Sequence, residues 1–257
     1  MALPALTRQQ LDGVLQALGI QAGDGLLIHS AVQFLGKPEG GLVTYLEALQ
    51  GAIGQHGTLV VPTFSFEFAK TGQYDPATTP SQGMGVFSEF VRQQPGAYRT
   101  LHPMQSVAAL GALAGDLAQR DTPSAFDDGS TFDRMLQADF KLLLLGADIQ
   151  AASMVHYSEQ RAPVPYRYWK EFPGKIKIDG AWQPRSYRMF VRDMDIDPHL
   201  RLAPIEQALR ANGDWRTQTL NHGSLSVCRL QDFVTATDAL LRVDPWALVS
   251  NRPETAH

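Results

Sequence analysis

The sequence predicts an α/β fold: a central, largely parallel or mixed sheet flanked by helices, with an added β-hairpin and C-terminal helices. Three observations lead there. Amphipathic segments alternate with short apolar, strand-like runs up to about residue 160, the pattern of a sheet layered between helices. Polar-apolar alternation takes over at 174–192 around the turn-like Asp179-Gly180, as in a hairpin. Helical spacing then returns near 203–211 and 230–241.

Element by element, Thr7 can cap a first helix whose apolar residues Leu11, Val14, Leu15 and Leu18 fall at helical spacing, and Gly19 stands where a left-handed cap stops it. Gly25-Leu-Leu-Ile-His29 reads as a strand. Between Gly40 and Gly54, Leu42, Tyr45, Leu46 and Leu49 mark a second amphipathic helix, and Thr58-Leu-Val-Val61 supplies the next strand. An irregular stretch at 65–82 precedes a helix near 84–94 and a strand near Ser106-Val-Ala-Ala-Leu110. A helix from about 130 and a strong strand at Lys141-Leu-Leu-Leu-Leu145 follow, and the chain ends its helical part at Asp244-Pro245-Trp246. No repeat or low-complexity linker divides the chain. The expectation is one domain over 1–257, with a core at about 7–160 completed by hairpin and C-terminal elements at about 161–250.

With 257 residues, 44% of them hydrophobic and 19% charged, the chain has the composition of a compact protein rather than a disordered one. At this size roughly 70–75% of the unfolded surface is buried on folding, so no disulfide or metal staple is needed. A net charge of −4 gives no reason to expect nucleic acid as a partner. Cys228 is the one cysteine, which excludes an intrachain disulfide, a cysteine-cluster zinc site and a CxxC redox pair, and fits a reducing, cytoplasmic location. The N-terminus lacks a basic flank before a long apolar run, and no segment reaches the ~18 apolar residues of a membrane span, so no membrane association is expected.

Neutral-pH general-base chemistry falls most often to histidine, and there are seven. His257 is terminal, His56 and His199 read as solvated loop residues, and His222 adjoins Gly223 near a strand. His29, His102 and His156 remain. His29-Ser30 and Pro62-Thr63 sit at the carboxyl ends of strands, where open α/β sheets bind ligands, although ordinary strand-to-helix turns look the same. His156 and Glu159 are three residues apart and share a helix face, so the carboxylate can hold the imidazole in one tautomer. A general base or a plain surface pair would both show this spacing. It is not the HExxH zinc pattern, and no second histidine stands at ligand spacing.

Asp127-Asp128-Gly129-Ser130-Thr-Phe-Asp133 reads as a loop feeding a helix, with Ser130 as N-cap and Asp133 closing a capping box. Free amides at such a start can hold a phosphate or carbonyl. Residues 161–192 carry eight basic side chains, Arg161, Arg167, Lys170, Lys175, Lys177, Arg185, Arg188 and Arg192, against Glu171 and Asp179. This is either a solvated face or a surface that attracts phosphates.

In chain order, Leu26-Leu-Ile-His-Ser-Ala31, Gly57-Thr-Leu-Val-Val-Pro-Thr-Phe64, Asp75-Pro-Ala-Thr-Thr-Pro80, Pro95-Gly-Ala-Tyr-Arg-Thr-Leu-His-Pro-Met-Gln-Ser106, Gly129-Ser130, Leu142-Leu-Leu-Leu-Gly146 and His156-Tyr-Ser-Glu159 resemble the aminoglycoside 3-N-acetyltransferases. These are antibiotic N-acetyltransferases with a fold unrelated to the GNAT acetyltransferases. The resemblance spans roughly residues 7–165 and implies transfer of an acetyl or short acyl group from acetyl-CoA, or another short acyl-CoA, to a primary amine of an amino sugar or aminocyclitol, without metal. Carried over residue by residue, it makes His156 the general base and Glu159 its orienting carboxylate. It places Ser30, Ala31, Thr63, His102, Ser106, Gly129 and Ser130 along the coenzyme A and acyl cleft.

Asp75 matches a motif position and serves either the acceptor or its loop. Tyr166, Arg167 and Arg188 fall where acceptor contacts are expected. An oxyanion on the thioester carbonyl calls for donors such as backbone amides at 30–32 or 129–131. Cys228 lies in an apolar strand pattern, which disfavours an acyl-enzyme.

After Glu159 the sequence departs from the family pattern. The basic region 161–192 does not suit a polycationic aminoglycoside, and a nucleotide-linked amino sugar in surface-polysaccharide synthesis is the alternative acceptor, its pyrophosphate held by Arg167, Lys170, Arg188 or Arg192. A His/Glu hydrolase and a non-catalytic coenzyme A-binding protein are the remaining readings. The expected partners are thus a coenzyme A thioester and a small amine-bearing sugar; a homodimer is compatible with the sequence.

Overall fold

A computed structural model describes residues 4–253; the readings at Met1–Leu3 and at His257 lie outside them. The chain runs β1 (Ala5–Leu6), α1 (Arg8–Ala17), β2 (Gly25–Ser30), β3 (Lys37–Pro38), α2 (Leu42–Ile53), β4 (Thr58–Pro62), α3 (Phe68–Thr71), β5 (Gln73–Tyr74), α4 (Val86–Arg92), β6 (Tyr98–Arg99) and β7 (Val107–Gly111). It continues with α5 (Ala114–Ala118), α6 (Thr131–Gln137), β8 (Lys141–Leu145), α7 (Val155–Arg161), β9 (Arg167–Ile178), β10 (Ala181–Arg192), α8 (Ala203–Asn212), β11 (Arg216–Leu220), β12 (Gly223–Arg229) and α9 (Leu230–Val243).

Seven strands form one sheet in the order β11-β12-β8-β2-β4-β7-β6. Only β8, β2 and β4 run parallel; the pairs outside them are antiparallel, so the sheet is mixed. The leucine runs of the centre follow from burial on both faces. Because side chains alternate along a strand, Leu27, Val60, Leu142 and Leu144 join the apolar cluster that also holds Phe132, Val155, Ile205 and Phe233. Leu26, Ile28, Leu59, Val61, Leu143 and Leu145 join the cluster on the other face with Leu11, Leu15, Tyr45, Leu49 and Phe87.

Local signals behave as their chemistry predicts. Thr7 Oγ1 accepts from the Gln10 amide while Gln10 Oε1 accepts from the Thr7 amide, a complete capping box, and Gly19 takes φ +76° where the helix has ended. At α6 the box is displaced: Ser130 Oγ accepts from the Asp133 amide, but Asp133 Oδ2 accepts from Gly129 rather than from Ser130.

The stretch 65–82 is not wholly irregular. It contributes β5, which pairs in parallel with β9 and completes a three-stranded sheet, β10-β9-β5. The hairpin starts at Arg167, seven residues before the sequence alternation becomes plain at 174, and its strands are twelve residues each. A further hairpin joins β11 to β12 through Asn221, at φ +54°, and His222. A third apolar cluster, Phe68, Tyr74, Met104, Ile176 and Tyr187, fixes the long hairpin to the body. Among the described residues no helix is long and apolar enough to cross a membrane.

Candidate active site

The parallel centre sets the location. The carboxyl ends of β2, β4 and β8 lie at one edge of the sheet, where loops converge. From there the Ser153 amide and Oγ stand 3.4 and 3.3 Å from His29 Nε2, tying the entry of α7 to the end of β2. Val155, Tyr157, Ser158 and Glu159 are buried, and this leaves His156 on the part-exposed side of the helix with 29% of its side chain accessible.

His156 Nδ1 is 2.6 Å from Glu159 Oε2, and the Arg167 Nε is 2.9 Å from the same oxygen. The carboxylate is fully buried. Burial alone would raise its pKa, but the hydrogen bond from His156 and the charges of His156 and Arg167 hold the group below the usual carboxylate range. The Tyr166 hydroxyl also faces this carboxylate, and the Phe126 ring meets His156 edge-on, with centroids 5.9 Å apart. With Nδ1 engaged, Nε2 is the imidazole nitrogen left to take a proton from a bound group. His29 stays neutral at pH 7, its pKa lowered to about 4 first by burial and then by His156.

The residues expected along the cofactor cleft fall into two groups. Thr63, Ser106, Ser130 and His102 are buried and committed to packing or internal hydrogen bonds. Ser106 Oγ donates to the Thr63 carbonyl at 2.7 Å, Ser130 caps α6, and the His102 ring packs edge-on against Tyr187 at 4.8 Å. Three of the amides proposed for an oxyanion are also engaged: Ala31 with Leu145 O, Gly129 with Asp133 Oδ2, and Ser130 with Asp127 O. Ser30 Oγ, by contrast, is a buried hydroxyl without a partner.

Several of the basic side chains at 161–192 are paired with acids. Arg167, expected at the acceptor, is 7% exposed and serves Glu159. Tyr166 is wholly buried, packed against Trp246 at 5.5 Å, and offers no face to an acceptor. Arg188 pairs with Asp127 at 3.2 Å, Arg185 with Asp121 at 3.1 Å, Arg161 with Asp128 at 2.6 Å, and Lys177 with Asp75 at 3.2 Å. Asp75 also accepts from the Ala77 amide and so braces its loop.

Sequence reasoning missed Arg99, although it lies inside a quoted motif. Its guanidinium contacts the Thr63 carbonyl and hydroxyl, Ser106 Oγ and the Thr79 carbonyl, and lies 5.0 Å from the Tyr74 ring centre. It welds β4, β7 and the 76–79 loop together, and no local spacing announces that.

A hollow of about 420 Å³ beneath Cys228, lined also by Lys141, Asp214, Arg216 and Asp232, opens at the amino-terminal ends of the strands, away from the dyad. Cys228 is buried opposite Leu142, its thiol pKa pushed well up by burial. Among the described residues no group of three or more His, Cys, Asp or Glu side chains is placed to hold a metal ion.

Comparison with known proteins gives a consistent result. The family described as aminoglycoside 3-N-acetyltransferase matches residues 27–242. An aminoglycoside N(3)-acetyltransferase III of Salmonella sp is 32% identical over 204 residues, covering 70% of each chain. Among solved structures, AAC-IIIb with CoASH superimposes with a TM-score of 0.82 at 24% identity, over 97% of this chain and 100% of that one. A mutant of the aminoglycoside acetyltransferase AAC(3)-IVa in complex with apramycin gives 0.78 at 28% identity, over 95% of each chain.

Proposed function

Because the chain belongs to the aminoglycoside 3-N-acetyltransferase family, we propose that it is an acyl-CoA-dependent N-acetyltransferase, moving an acetyl or short acyl group from coenzyme A to a primary amine of an aminoglycoside-type sugar or aminocyclitol. The observation that carries this reading is the buried, ionised Glu159 holding His156 by Nδ1, with Nε2 open at the carboxyl ends of the parallel strands.

An alkylamine is protonated at neutral pH and attacks a thioester only after losing a proton, which a positioned base accelerates by ~10²–10⁴-fold. His156 Nε2 takes that proton. That first proton passes on to solvent; as the amine nitrogen bonds to the thioester carbonyl carbon, Nε2 takes a second proton from it, the carbon-sulfur bond breaks, and the imidazolium gives that proton to the departing thiolate, leaving a neutral amide. Ser30 Oγ, buried without a partner, is the hydroxyl at the end of β2 free to donate to the developing oxyanion. Transfer is direct, since the thiol of Cys228, on β12 opposite Leu142 near the start of β8, is buried with its pKa raised by burial.

Charge pairing bears on the acceptor. Of the four cations expected to hold a pyrophosphate, Arg167 and Arg188 are paired with Glu159 and Asp127, and Lys177 and Arg185 beside them with Asp75 and Asp121, so part of the hairpin's basic count is already neutralised. An aminoglycoside-type acceptor is the reading that the relatives support.

The test is free-thiol release from acetyl-CoA with no acceptor, with aminoglycosides, and with nucleotide-linked amino sugars. Release with aminoglycosides alone, lowered at least about a hundredfold by His156→Ala, is the expected result. Release without acceptor would make the protein a hydrolase, and release with nucleotide sugars alone would overturn the acceptor assignment.

A further inference from the structure

The charge that organises the dyad arrives from outside α7. Arg167 is the first residue of β9, and its guanidinium reaches in two directions: Nε lies 2.9 Å from Glu159 Oε2, and Nη1 donates to the Phe190 carbonyl on β10 at 3.1 Å. Both His156 and Arg167 converge on one oxygen of a carboxylate that has no exposed surface. A cation placed there is costly unless paired, and a helix-surface ion pair would not need it.

We propose that Arg167 is a positioning residue of the transfer reaction: it shares Glu159 Oε2 with His156 and locks the foot of the hairpin to the base. The assignment rests on the reading of His156 as base.

The direction of the effect follows from the groups that face the dyad. These are Arg167 from β9, the Tyr166 hydroxyl just before it, and the neutral His29 from β2. Of these three, Arg167 alone brings a permanent charge. Remove that cation, and the carboxylate is left wholly to the imidazole while its own ionisation loses support. Either change makes the pair, titrating as a unit, bind its proton more tightly. The deprotonated, working form then appears only at higher pH. A residue that merely stabilised the hairpin would lower the amount of folded protein and leave the proton affinity alone.

The experiment is the pH dependence of kcat/KM for acetyl transfer by the intact chain, whose acidic limb reports the base in the free enzyme. Arg167→Met should move that limb to higher pH by roughly one unit, a tenfold tighter hold on the proton, with activity recovering at alkaline pH. Arg167→Lys should restore most of the original profile. An unmoved limb in folded Arg167→Met would overturn the proposal.

Should that variant fail to fold, the pair Glu159→Gln and Glu159→Gln/Arg167→Met decides, because the double variant buries no unpaired charge. Matching profiles show that Arg167 acts through Glu159. A further loss in kcat/KM beyond Glu159→Gln shows that it acts elsewhere and refutes the assignment. If His156→Ala keeps its turnover, the reading of the base has failed; loss there beside an unmoved Arg167→Met limb removes Arg167 alone.

Discussion

Replacing Glu159 with glutamine keeps the shape of the side chain and removes its charge, so its consequences can be worked from two distances. The carboxylate is 2.6 Å from His156 Nδ1 and 2.9 Å from Arg167 Nε, with no exposed surface. Neutralising it leaves a nearly buried guanidinium uncompensated, a change that costs about 3–5 kcal/mol. For a chain of this size each kcal/mol lowers the melting temperature by about 2 °C, so a fall of roughly 6–10 °C is expected.

The second consequence is chemical. A hydrogen bond to a charged group contributes about 1.5–3 kcal/mol, which corresponds to roughly 1–2 pH units of proton affinity. The imidazolium loses that support and faces Arg167 unshielded, so the acidic limb of kcat/KM moves to lower pH, opposite to the shift expected for Arg167→Met. Turnover should fall by at least about tenfold, less than on deleting the base itself. Calorimetry and a pH series on one preparation measure both effects. A variant that melts with the parent and keeps its acidic limb would show that the carboxylate neither neutralises Arg167 nor holds the proton, and would refute the reasoning.

Two other predictions follow from burial. His29 and His102 have pKa values lowered from 6.5 to about 4, burial being the largest cause. The unfolded chain therefore takes up protons in that window while the folded one does not, so stability should fall as pH drops from 6.5 to about 4, by up to about 3 kcal/mol per histidine. Denaturant titrations at about pH 7 and about pH 4.5 check this, and equal stability at the two would count against it. Cys228, buried with its thiol pKa raised, should resist iodoacetamide in the folded protein, and Cys228→Ala should keep turnover within about twofold; stoichiometric inactivation by the reagent would reinstate an acyl-enzyme.

Whatever depends on neighbours along the chain was legible before any coordinates. Helical period placed His156 and Glu159 on one face, and the pair is bonded as that spacing requires. Thr7 and Gly19 bounded the first helix, and leucine runs at 25–28 and 142–145 marked strands buried on both faces. Strand direction was another matter, because an apolar run reads the same whichever way its neighbour points, and only three strands of the main sheet are parallel. Charge was the hardest to read. Eight cations at 161–192 suggested a phosphate surface, yet the acids that pair with five of them stand at 75, 121, 127, 128 and 159. Lys177 meets Asp75 across 102 residues of chain. Such pairs are made by which loops the topology brings to one edge of the sheet, and Coulomb attraction depends on distance in space, which spacing along the chain does not encode. The tertiary structure therefore shows Arg167, expected at the acceptor, to be an ion-pair partner of the carboxylate that His156 also meets.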